Sequence, residues 1–307
     1  MTTAVVTGAG GFIGGHLCAR LIRDGYTVKV ITRGAAPANT QKLSVLVDAG
    51  SNMLARQFQA AEVVYHLAGL AHEGIARSNV GDLQDVNVVG TVSVVKAAVE
   101  AGVPAVVWLS SIKVLGDVSD EPLRPDDPYR PGNAYARSKM AAEQSLAGTC
   151  AGNTRVAIVR PPLVYGEGVR GNYLRMLQWV AHGLPLPLAQ ATAPRSLVSV
   201  ANLCDLLVRL NRQGAGVFHV ADPEDMSVSA LLTELAELFG QRNRLFGVSP
   251  GIMQFFTAAA GQKATYSRLF HPLQVDQSNT CETLGWHPPY EAREQMEVMV
   301  RWFQMQR

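Results

Sequence analysis

Short apolar runs alternate with longer helical patterns along the first two-thirds of this 307-residue chain. The runs are apolar throughout rather than at every second position, as strands buried on both faces of a parallel sheet require. Strands that alternate with helices form βαβ units, which place helices on both faces of the sheet. The sequence therefore predicts an α/β fold with a doubly wound parallel sheet.

The predicted elements follow that alternation up to residue 160, and the pattern then changes. Predicted strands are 4–6, 27–32, 44–47, 62–67, 105–110 and 156–160, and predicted helices are 13–24, 85–100 and 134–147. From residue 161 the chain is richer in proline and glycine, interrupted by a helix at 172–182. Strands at 196–200 and 217–220 predict a return to the main sheet, and amphipathic helices near 228–239 and 292–304 follow. We therefore expect a sheet domain followed by a smaller mixed α/β domain.

Composition and residue spacing argue against several classes of protein. With 27 Lys and Arg against 25 Asp and Glu, the formal charge of +2 gives a nucleic acid backbone little to bind. No apolar run reaches the roughly 18 residues needed to span a membrane, and the start lacks the basic and apolar regions of a signal peptide. The four cysteines form no CxxC, and the histidines and carboxylates show no metal-ligand spacing. We expect a cytoplasmic enzyme with no metal, no nucleic acid partner and no membrane partner.

A glycine-rich turn follows the first predicted strand and opens the first predicted helix. Gly8, Gly11 and Gly14 are spaced for a tight turn, for close approach of the backbone to a pyrophosphate, and for close packing of helix on strand. The helix N-terminus behind them offers unpaired N–H groups and the positive end of the helix dipole. Because strand, turn and helix occur in that order, the pattern predicts a dinucleotide site on a Rossmann-type fold.

The end of the second predicted strand bears on which dinucleotide is bound. An acid about 20 residues beyond the glycines usually holds the adenosine ribose of NAD. This sequence has Thr32-Arg33-Gly34 there, and an arginine can instead receive the 2′-phosphate of NADP. Asp48, after the third predicted strand, is a candidate contact for the adenine. The cofactor is therefore predicted to be NAD or NADP, with the choice left open.

A candidate acid–base group lies on the helix predicted at 134–147. Tyr135 and Lys139 are four residues apart and so share one face of that helix. The ordinary pKa of a phenol, near 10, is too high for base chemistry at neutral pH, and a neighbouring ammonium favours the phenolate. Ser110 and Ser111 follow a strand whose carboxyl end faces the ligand crevice. Ser111 could therefore hydrogen-bond the same reacting oxygen as Tyr135.

Taken together, these motifs resemble those of the extended short-chain dehydrogenase/reductase superfamily, in its NAD-dependent nucleotide-sugar epimerase/dehydratase branch. The matching segments are Thr7-Gly-Ala-Gly-Gly-Phe-Ile-Gly14, His66-Leu-Ala-Gly69, Asn87-Val-Val-Gly-Thr91, Ser110-Ser-Ile-Lys-Val114, Tyr135 with Lys139, Arg160-Pro-Pro-Leu-Val-Tyr-Gly166, Gly171-Asn172, Arg195-Ser-Leu-Val-Ser-Val200, Val275-Asp-Gln-Ser278 and Leu284-Gly-Trp286. The resemblance covers nearly the whole chain, and the combination of motifs is specific.

The resemblance implies a tyrosine-based mechanism. Tyr135 would be the acid and base at a sugar hydroxyl, Lys139 would bind the nicotinamide ribose and lower the pKa of Tyr135, and Ser111 would be the catalytic hydroxyl residue. Residues 1–160, with a return around 196–220, would hold the dinucleotide, and 161–307 would mainly hold a nucleotide-diphosphate sugar, in a homodimer. The implied cofactor-binding residues are Gly8, Gly11, Phe12, Ile13, Gly14, Arg33, Asp48, Leu67, Ala68, Tyr135, Lys139 and Pro161, and the implied substrate-binding residues are Ser111, Asn172, Leu186, Leu188, Arg195 and Arg268.

Departures from the family's patterns narrow the implied reaction. The family's 4,6-dehydratases carry Asp-Glu after the catalytic hydroxyl residue, where this chain has Ile112-Lys113, so dehydration is not expected. Thr32-Arg33 replaces the acid typical of UDP-hexose 4-epimerases, and Leu163 replaces a polar Asn, both of which suit a 4-keto-sugar reductase. We predict redox chemistry at C4 of a UDP-hexose or UDP-N-acetylhexosamine by a 4-epimerase, in polysaccharide precursor synthesis. A UDP-4-keto-sugar reductase is the alternative, and a non-catalytic cofactor-sensing protein on the same fold is a remote one.

Overall fold

A seven-stranded parallel sheet forms the centre of the structure, a computed structural model that describes residues 2–43, 51–70, 80–147, 153–259, 261 and 263–306. The strands are β1 (Thr3–Thr7), β2 (Thr27–Ile31), β3 (Gln41–Lys42), β4 (Val63–His66), β5 (Ala105–Leu109), β6 (Arg155–Arg160) and β9 (Gly216–His219). Their order is β3-β2-β1-β4-β5-β6-β9, and each neighbouring pair is parallel. The order reverses between β1 and β4, which places the ligand crevice at the carboxyl ends of those strands. The predicted fold class, α/β with a doubly wound parallel sheet, is confirmed.

Helices cover both faces of this sheet. They are α1 (Phe12–Arg23), α2 (Ser51–Phe58), α3 (Val80–Gln84), α4 (Gly90–Glu100), α5 (Ala134–Ala147) and α7 (Val200–Arg212). On one face, Leu17 and Leu21 of α1 share a fully buried cluster with Leu203 and Leu207 of α7. On the other face, Phe58, Val94 and Trp108 belong to a cluster formed with α2, α4 and α5. Valines fill the strands, since a β-branched side chain packs well on a sheet covered on both sides.

The second part of the chain packs around a small two-stranded sheet. Strand β7 (Leu163–Tyr165) pairs in parallel with β8 (Leu197–Ser199). The remaining helices are α6 (Gly171–Ala181), α8 (Val228–Leu238), α9 (Pro250–Ala259), α10 (Lys263–Phe270), α11 (Ser278–Leu284) and α12 (Ala292–Met305). Buried side chains of α6, α8 and α12, among them Tyr173, Leu235 and Phe303, form a third apolar cluster.

Three sequence predictions differ from the structure or fall outside it. The strand expected at 196–200 is β8, which pairs with β7 and not with the main sheet, and the return to the main sheet is made by β9. The single helix expected at 85–100 is α3, a π-helical turn at Asp85–Val89, and then α4. That turn directs Asn87 toward Leu70 and Ser138, contacts that helical periodicity does not reveal. The strand predicted at 44–47 and Asp48 lie outside the described residues.

Candidate active site

The glycine-rich turn lies between β1 and α1, where its glycines have separate roles. Gly8 has a φ of 73°, and a Cβ there would lie 2.6 Å from the amide nitrogen of Ala68. A Cβ on Gly14 would lie 2.2 Å from the carbonyl oxygen of Gly8. Neither position can accept a side chain unless the backbone moves. The turn is therefore closely packed against both β1 and the end of β4. Gly11 is exposed, and its amide donates to the carbonyl of Gly8 at 3.0 Å.

A cleft of about 600 Å³ opens above this turn. Its lining includes the predicted cofactor residues Gly8, Gly11, Arg33, Leu67 and Ala68, together with Gly10, Ile31, Thr32, Gly34, Ala35, Gly69, Asp85, Val86 and Gly90. Phe12 and Ile13 begin α1 and pack against the core beside it. An elongated cleft with backbone amides at a helix N-terminus fits the pyrophosphate and adenosine of a dinucleotide. Pro161 lies after β6, and its carbonyl accepts from the amide of Ile112 at 3.0 Å.

A buried histidine ties the glycine turn to the neighbouring helix. The Thr7 hydroxyl lies 2.7 Å from Nδ1 of His66, and Nε2 of His66 lies 3.1 Å from the hydroxyl of Thr91. Because the Thr91 hydroxyl already donates to the carbonyl of Asn87 at 2.7 Å, we assign the ring proton to Nε2. Burial lowers the pKa of His66 to about 3, and the Lys139 charge adds to that effect. His66 is therefore neutral, and it holds the end of β1 to the helix that carries Thr91.

The candidate acid–base residues meet where β5 ends. The side chain of Ser111 lies close enough to Tyr135 to lower the pKa of that phenol, and the Ser111 hydroxyl accepts from the amide of Lys113 at 3.3 Å. The ammonium of Lys139 donates to the carbonyl of Leu109 at 2.9 Å and lies 5.0 Å above the ring of Trp108. A Cβ on Gly69, which lines the cofactor cleft, would be 3.3 Å from that ammonium. The structure thus brings Ser111, Tyr135 and Lys139 together beside the cleft.

The pKa values in this group differ from the sequence expectation in one respect. Burial raises the pKa of Tyr135 to about 12, while its hydrogen bond to Ser111 acts in the opposite direction. Burial lowers the pKa of Lys139 to about 8, and the Glu143 carboxylate opposes that change. The expected lowering of the tyrosine pKa by Lys139 is not found, because desolvation dominates the pKa of Tyr135. At neutral pH Tyr135 is a phenol and Lys139 is largely an ammonium.

A buried ion pair behind this group was not singled out from the sequence. Glu143, one turn beyond Lys139 on α5, accepts from the Ser110 hydroxyl at 2.5 Å and from the Arg160 guanidinium at 2.5 Å. The side chains of Arg160 and Glu143 are 3% and 1% exposed. Because water does not reach either charge, each depends on its partner and on its hydrogen bonds for stabilisation. The Tyr129 hydroxyl also donates to Glu143 at 2.9 Å. Ser110 thus faces away from Tyr135, which agrees with the choice of Ser111 as the hydroxyl residue.

Two arginines converge in the second part of the molecule. Arg195 donates to the carbonyl of His271 at 2.7 Å and to that of Asp117 at 3.4 Å. Arg268 lies 3.9 Å from the Asp117 carboxylate, and its Nε is buried with no hydrogen-bond partner among the described residues. Burial lowers the pKa of Arg195; the Asp117 charge opposes that effect and the Arg268 charge adds to it. Two guanidinium groups beside Asp117, one at its backbone carbonyl and one at its carboxylate, form a site with spare donors for an anion such as a diphosphate.

The other predicted substrate residues are more dispersed. Asn172 is exposed at the start of α6. Leu188 is 6% exposed within the third apolar cluster, and Leu186 is partly buried beside it in a bridge to Leu245. No described contact joins these three residues to Arg195 or Arg268. Leu163, one of the family departures, is half exposed on β7.

Comparison with known proteins identifies the family. A family model described as the NAD dependent epimerase/dehydratase family matches residues 4–221. The chain belongs to this family, within the extended short-chain dehydrogenases/reductases, and it is an enzyme. It is 33% identical over 304 residues to a UDP-glucose 4-epimerase of Vibrio cholerae, covering 94% of this chain and 92% of that protein.

Two further relatives are named with different sugar compounds. An N-acetyl-alpha-D-glucosaminyl-diphospho-ditrans,octacis-undecaprenol 4-epimerase of Escherichia coli O157:H7 is 25% identical over 246 residues, covering 78% of this chain and 72% of that one. The solved structure of MoeE5 with UDP-glucose and NAD is 25% identical, superposes with a TM-score of 0.79 and covers 99% of both chains. The family description and the MoeE5 structure support NAD as the family's cofactor. The Vibrio cholerae relative and MoeE5 support nucleotide sugars as its substrates, whereas the Escherichia coli relative is named for a sugar linked by a diphosphate to a polyprenol.

Neither a membrane-spanning helix nor a metal-binding cluster is present in the part of the chain that the structure describes. No helix in it is long and apolar enough to cross a membrane. No group of three or more His, Cys, Asp or Glu side chains in the same residues could hold a metal ion.

Proposed function

We propose that this enzyme catalyses reversible oxidation and reduction at C4 of a UDP-hexose or UDP-N-acetylhexosamine, as a 4-epimerase. The observation that carries the proposal is the grouping of Ser111, Tyr135 and Lys139 at the end of β5, at the edge of the glycine-lined cleft. The Vibrio cholerae relative supports the reaction, since it is a UDP-glucose 4-epimerase that matches over nearly its whole length.

The cleft fits NAD, because both glycine positions that a Cβ would block lie where the pyrophosphate approaches the backbone. NAD bound there would supply a hydride acceptor that returns the hydride to C4. As the phenolate, Tyr135 would take the proton of the C4 hydroxyl while that hydroxyl is oxidised to a ketone, and as the phenol so formed it would return the proton when the ketone is reduced. Ser111 would hold the C4 oxygen in line with the phenol.

Lys139 has an electrostatic role in this proposal. Its ammonium would lie between the tyrosine and the cofactor ribose, where a positive charge favours the phenolate that a base requires. A pKa of about 8 keeps that charge at neutral pH and removes it in mildly alkaline solution. Activity is therefore expected to fall above about pH 8.

Arg195 and Arg268 would hold the diphosphate of the sugar nucleotide in this proposal. Leu186 and Leu188 would pack against the base, and Asn172 would contact the diphosphate. Residues 1–160 and 196–220 would hold the dinucleotide, and the rest of 161–307 the sugar nucleotide, in a homodimer. Asp222, which accepts from the Tyr165 hydroxyl at 2.6 Å and from the amide of Ser199 at 2.9 Å, links the end of β9 to both strands of the small sheet.

A 4-keto-sugar reductase is the second candidate, favoured by Arg33 at the cleft where an acid is usual. A reductase must release its oxidised cofactor after each turnover, whereas an epimerase restores its own. A non-catalytic cofactor-sensing protein is less favoured, because Ser111, Tyr135 and Lys139 are all present.

The deciding experiment is an absorbance and mass analysis of the cofactor released from freshly purified, denatured protein. We expect NAD at close to one per chain, and interconversion of UDP-glucose and UDP-galactose or of their N-acetyl forms without added cofactor. Protein that emerges empty and consumes NADPH only with a UDP-4-keto sugar would establish the reductase instead. Protein that binds neither dinucleotide would overturn the catalytic proposal.

A further inference from the structure

A group of large apolar side chains is exposed on one side of the second part of the molecule. Trp179 is 40% exposed, Leu184 47%, Phe246 47%, Ile252 51% and Phe255 70%. These five are nearly half of the exposed large apolar residues found among those that the structure describes. Large exposed apolar groups gathered in one region mark an interaction surface more often than scattered ones do.

Hydrogen bonds join the segments that bear Leu184 and Phe246, and α9, which bears Ile252 and Phe255, begins four residues after Phe246. The amide of Phe246 donates to the carbonyl of Leu186 at 3.0 Å, and Arg244 donates to the carbonyl of Gly183 at 3.1 Å. The turn after α6 is thereby joined to the strand-like segment that leads into α9. We call this surface, formed by residues 175–186, 242–246 and 250–259, the α6–α9 face.

Within α9 the apolar side chains divide between core and solvent. Met253 packs against the third apolar cluster, and Thr257 follows it on the same side of the helix. Ile252 and Phe255 are three residues apart and share a different side, which is exposed. The helix therefore presents apolar groups outward as well as inward.

The charge around the α6–α9 face has a single sign. The segments 168–204 and 238–275 contain no Asp or Glu, although the chain has 25 such residues. They do contain Arg175, Arg242 and Arg244, each exposed. The acids that flank these segments along the chain are Glu167, Asp205, Glu237 and Asp276, and Glu237 on α8 pairs with Arg293.

We propose that the α6–α9 face binds the surface of an anionic lipid bilayer. Exposed aromatic and aliphatic side chains can insert at the level of the headgroups, while arginines beside them attract anionic lipids. The two long segments that contribute to this face carry no carboxylates. Anionic lipid headgroups would therefore meet no negative side chain of these segments. The sequence predicted no membrane partner, because neither a spanning segment nor a signal peptide was found in it. Binding at a membrane surface needs neither of these, so this proposal differs from that prediction.

The position of this face relative to the candidate diphosphate site gives the proposal a consequence. Helix α10 packs against α9 and carries Arg268, which faces Asp117 beside Arg195. A bilayer held on α9 would therefore lie one helix away from the arginines that are free to bind a diphosphate.

The test is flotation of the full chain with lipid vesicles. Vesicles of phosphatidylglycerol and phosphatidylethanolamine are compared with vesicles of phosphatidylcholine alone, at low and at physiological salt. We expect binding to the anionic vesicles only, reduced at least about tenfold in the variant I252S/F255S. Arg242→Gln should reduce binding about fivefold, which corresponds to one charge at the surface.

Met53→Ser is the matched control, because Met53 on α2 is 58% exposed but lies outside this face. All variants are checked for unchanged thermal unfolding and unchanged bound cofactor, so that loss of folding is not read as loss of binding. Equal flotation of wild type and I252S/F255S would overturn the proposal. A wild-type oligomer that this variant dissociates, with no vesicle binding by either, would also overturn it and assign the face to a second copy of the chain.

Discussion

The two halves of the candidate site are built in different ways. On the cofactor side, Gly8 and Gly14 are set by one strand-to-helix turn, and Tyr135 and Lys139 by one turn of helix. On the substrate side, Arg195 and Arg268 come from distant parts of the chain and meet at Asp117. The residues proposed for cofactor binding and proton transfer are therefore positioned by short segments of sequence. The residues proposed for substrate binding are positioned by the way that distant loops pack together.

The strongest test of the cofactor side is Tyr135→Phe, which removes the hydroxyl and little else. We expect turnover to fall by about 10³, the usual contribution of a general acid or base, while bound NAD stays at the wild-type level. Tyr26→Phe is the control, since its hydroxyl accepts from Asn211 at 3.2 Å, far from Ser111. A Tyr135→Phe enzyme with wild-type turnover would show that another group moves the proton.

The glycine turn is tested next with Gly14→Ala. A Cβ there would be 2.2 Å from the carbonyl oxygen of Gly8, so backbone must move and the free energy of unfolding should fall by about 3 kcal/mol. Bound NAD should be lost as well, because the same backbone approaches the pyrophosphate. Gly34→Ala lines the same cleft but meets no atom within 4 Å, and should change the unfolding free energy by less than about 0.5 kcal/mol. Equal behaviour of the two variants, followed by urea unfolding, would contradict the packing argument.

The features that the sequence predicted and those that it did not also differ in this way: local patterns were predicted, and contacts between distant segments were not. The glycine turn between β1 and α1 and the placing of Tyr135 and Lys139 on one helix are local patterns, and both are as expected, as are the strands β1, β2, β4, β5, β6 and β9. The ion pair of Glu143 and Arg160 was missed because its two residues lie on different elements, although Glu143 continues the spacing of Tyr135 and Lys139 by one more turn. Helical spacing from Lys139 was the one signal that could have found it. The pairing of β8 with β7 depends on loop packing, which periodicity does not report.

His66 provides a test of the cofactor side by pH. Its pKa is lowered to about 3 in the folded chain, below the ordinary 6.5, so the unfolded state binds the proton first as the pH falls. Stability is complete above pH 6.5 and should be lost by up to about 1.4 kcal/mol per pH unit down to pH 3. The lowered pKa of His219, about 4, acts in the same direction. Urea unfolding between pH 7.5 and 4.5 measures the slope, and His66→Gln should flatten it; an unchanged slope in that variant would exclude His66 as the source.

The substrate side is tested with Arg195→Gln and Arg268→Gln. Each should raise the KM for the UDP-sugar about tenfold through loss of a charged hydrogen bond, with kcat and bound NAD unchanged. Arg268→Gln should have less effect on stability, because its Nε has no partner among the described residues. Arg301→Gln, an exposed arginine on α12, is the control. A fall in bound NAD together with the rise in KM would mean that these arginines act through the fold.

The smallest expected effect is at Arg33, the residue that bears on the choice between NAD and NADP. Arg33 lines the cleft, and the ammonium of Lys42 donates to the carbonyl of Gly34 beside it at 2.8 Å. For an enzyme that uses NAD, Arg33→Ala has no phosphate contact to lose and should change the Kd for NAD by no more than about threefold. Titration of cofactor-free protein with NAD and with NADP, monitored by tryptophan fluorescence, measures both constants, with Arg23→Ala on α1 as the control. A tenfold or greater loss of NADP affinity, in a wild-type protein that prefers NADP, would assign Arg33 to the 2′-phosphate and shift the reaction toward reduction of a 4-keto sugar.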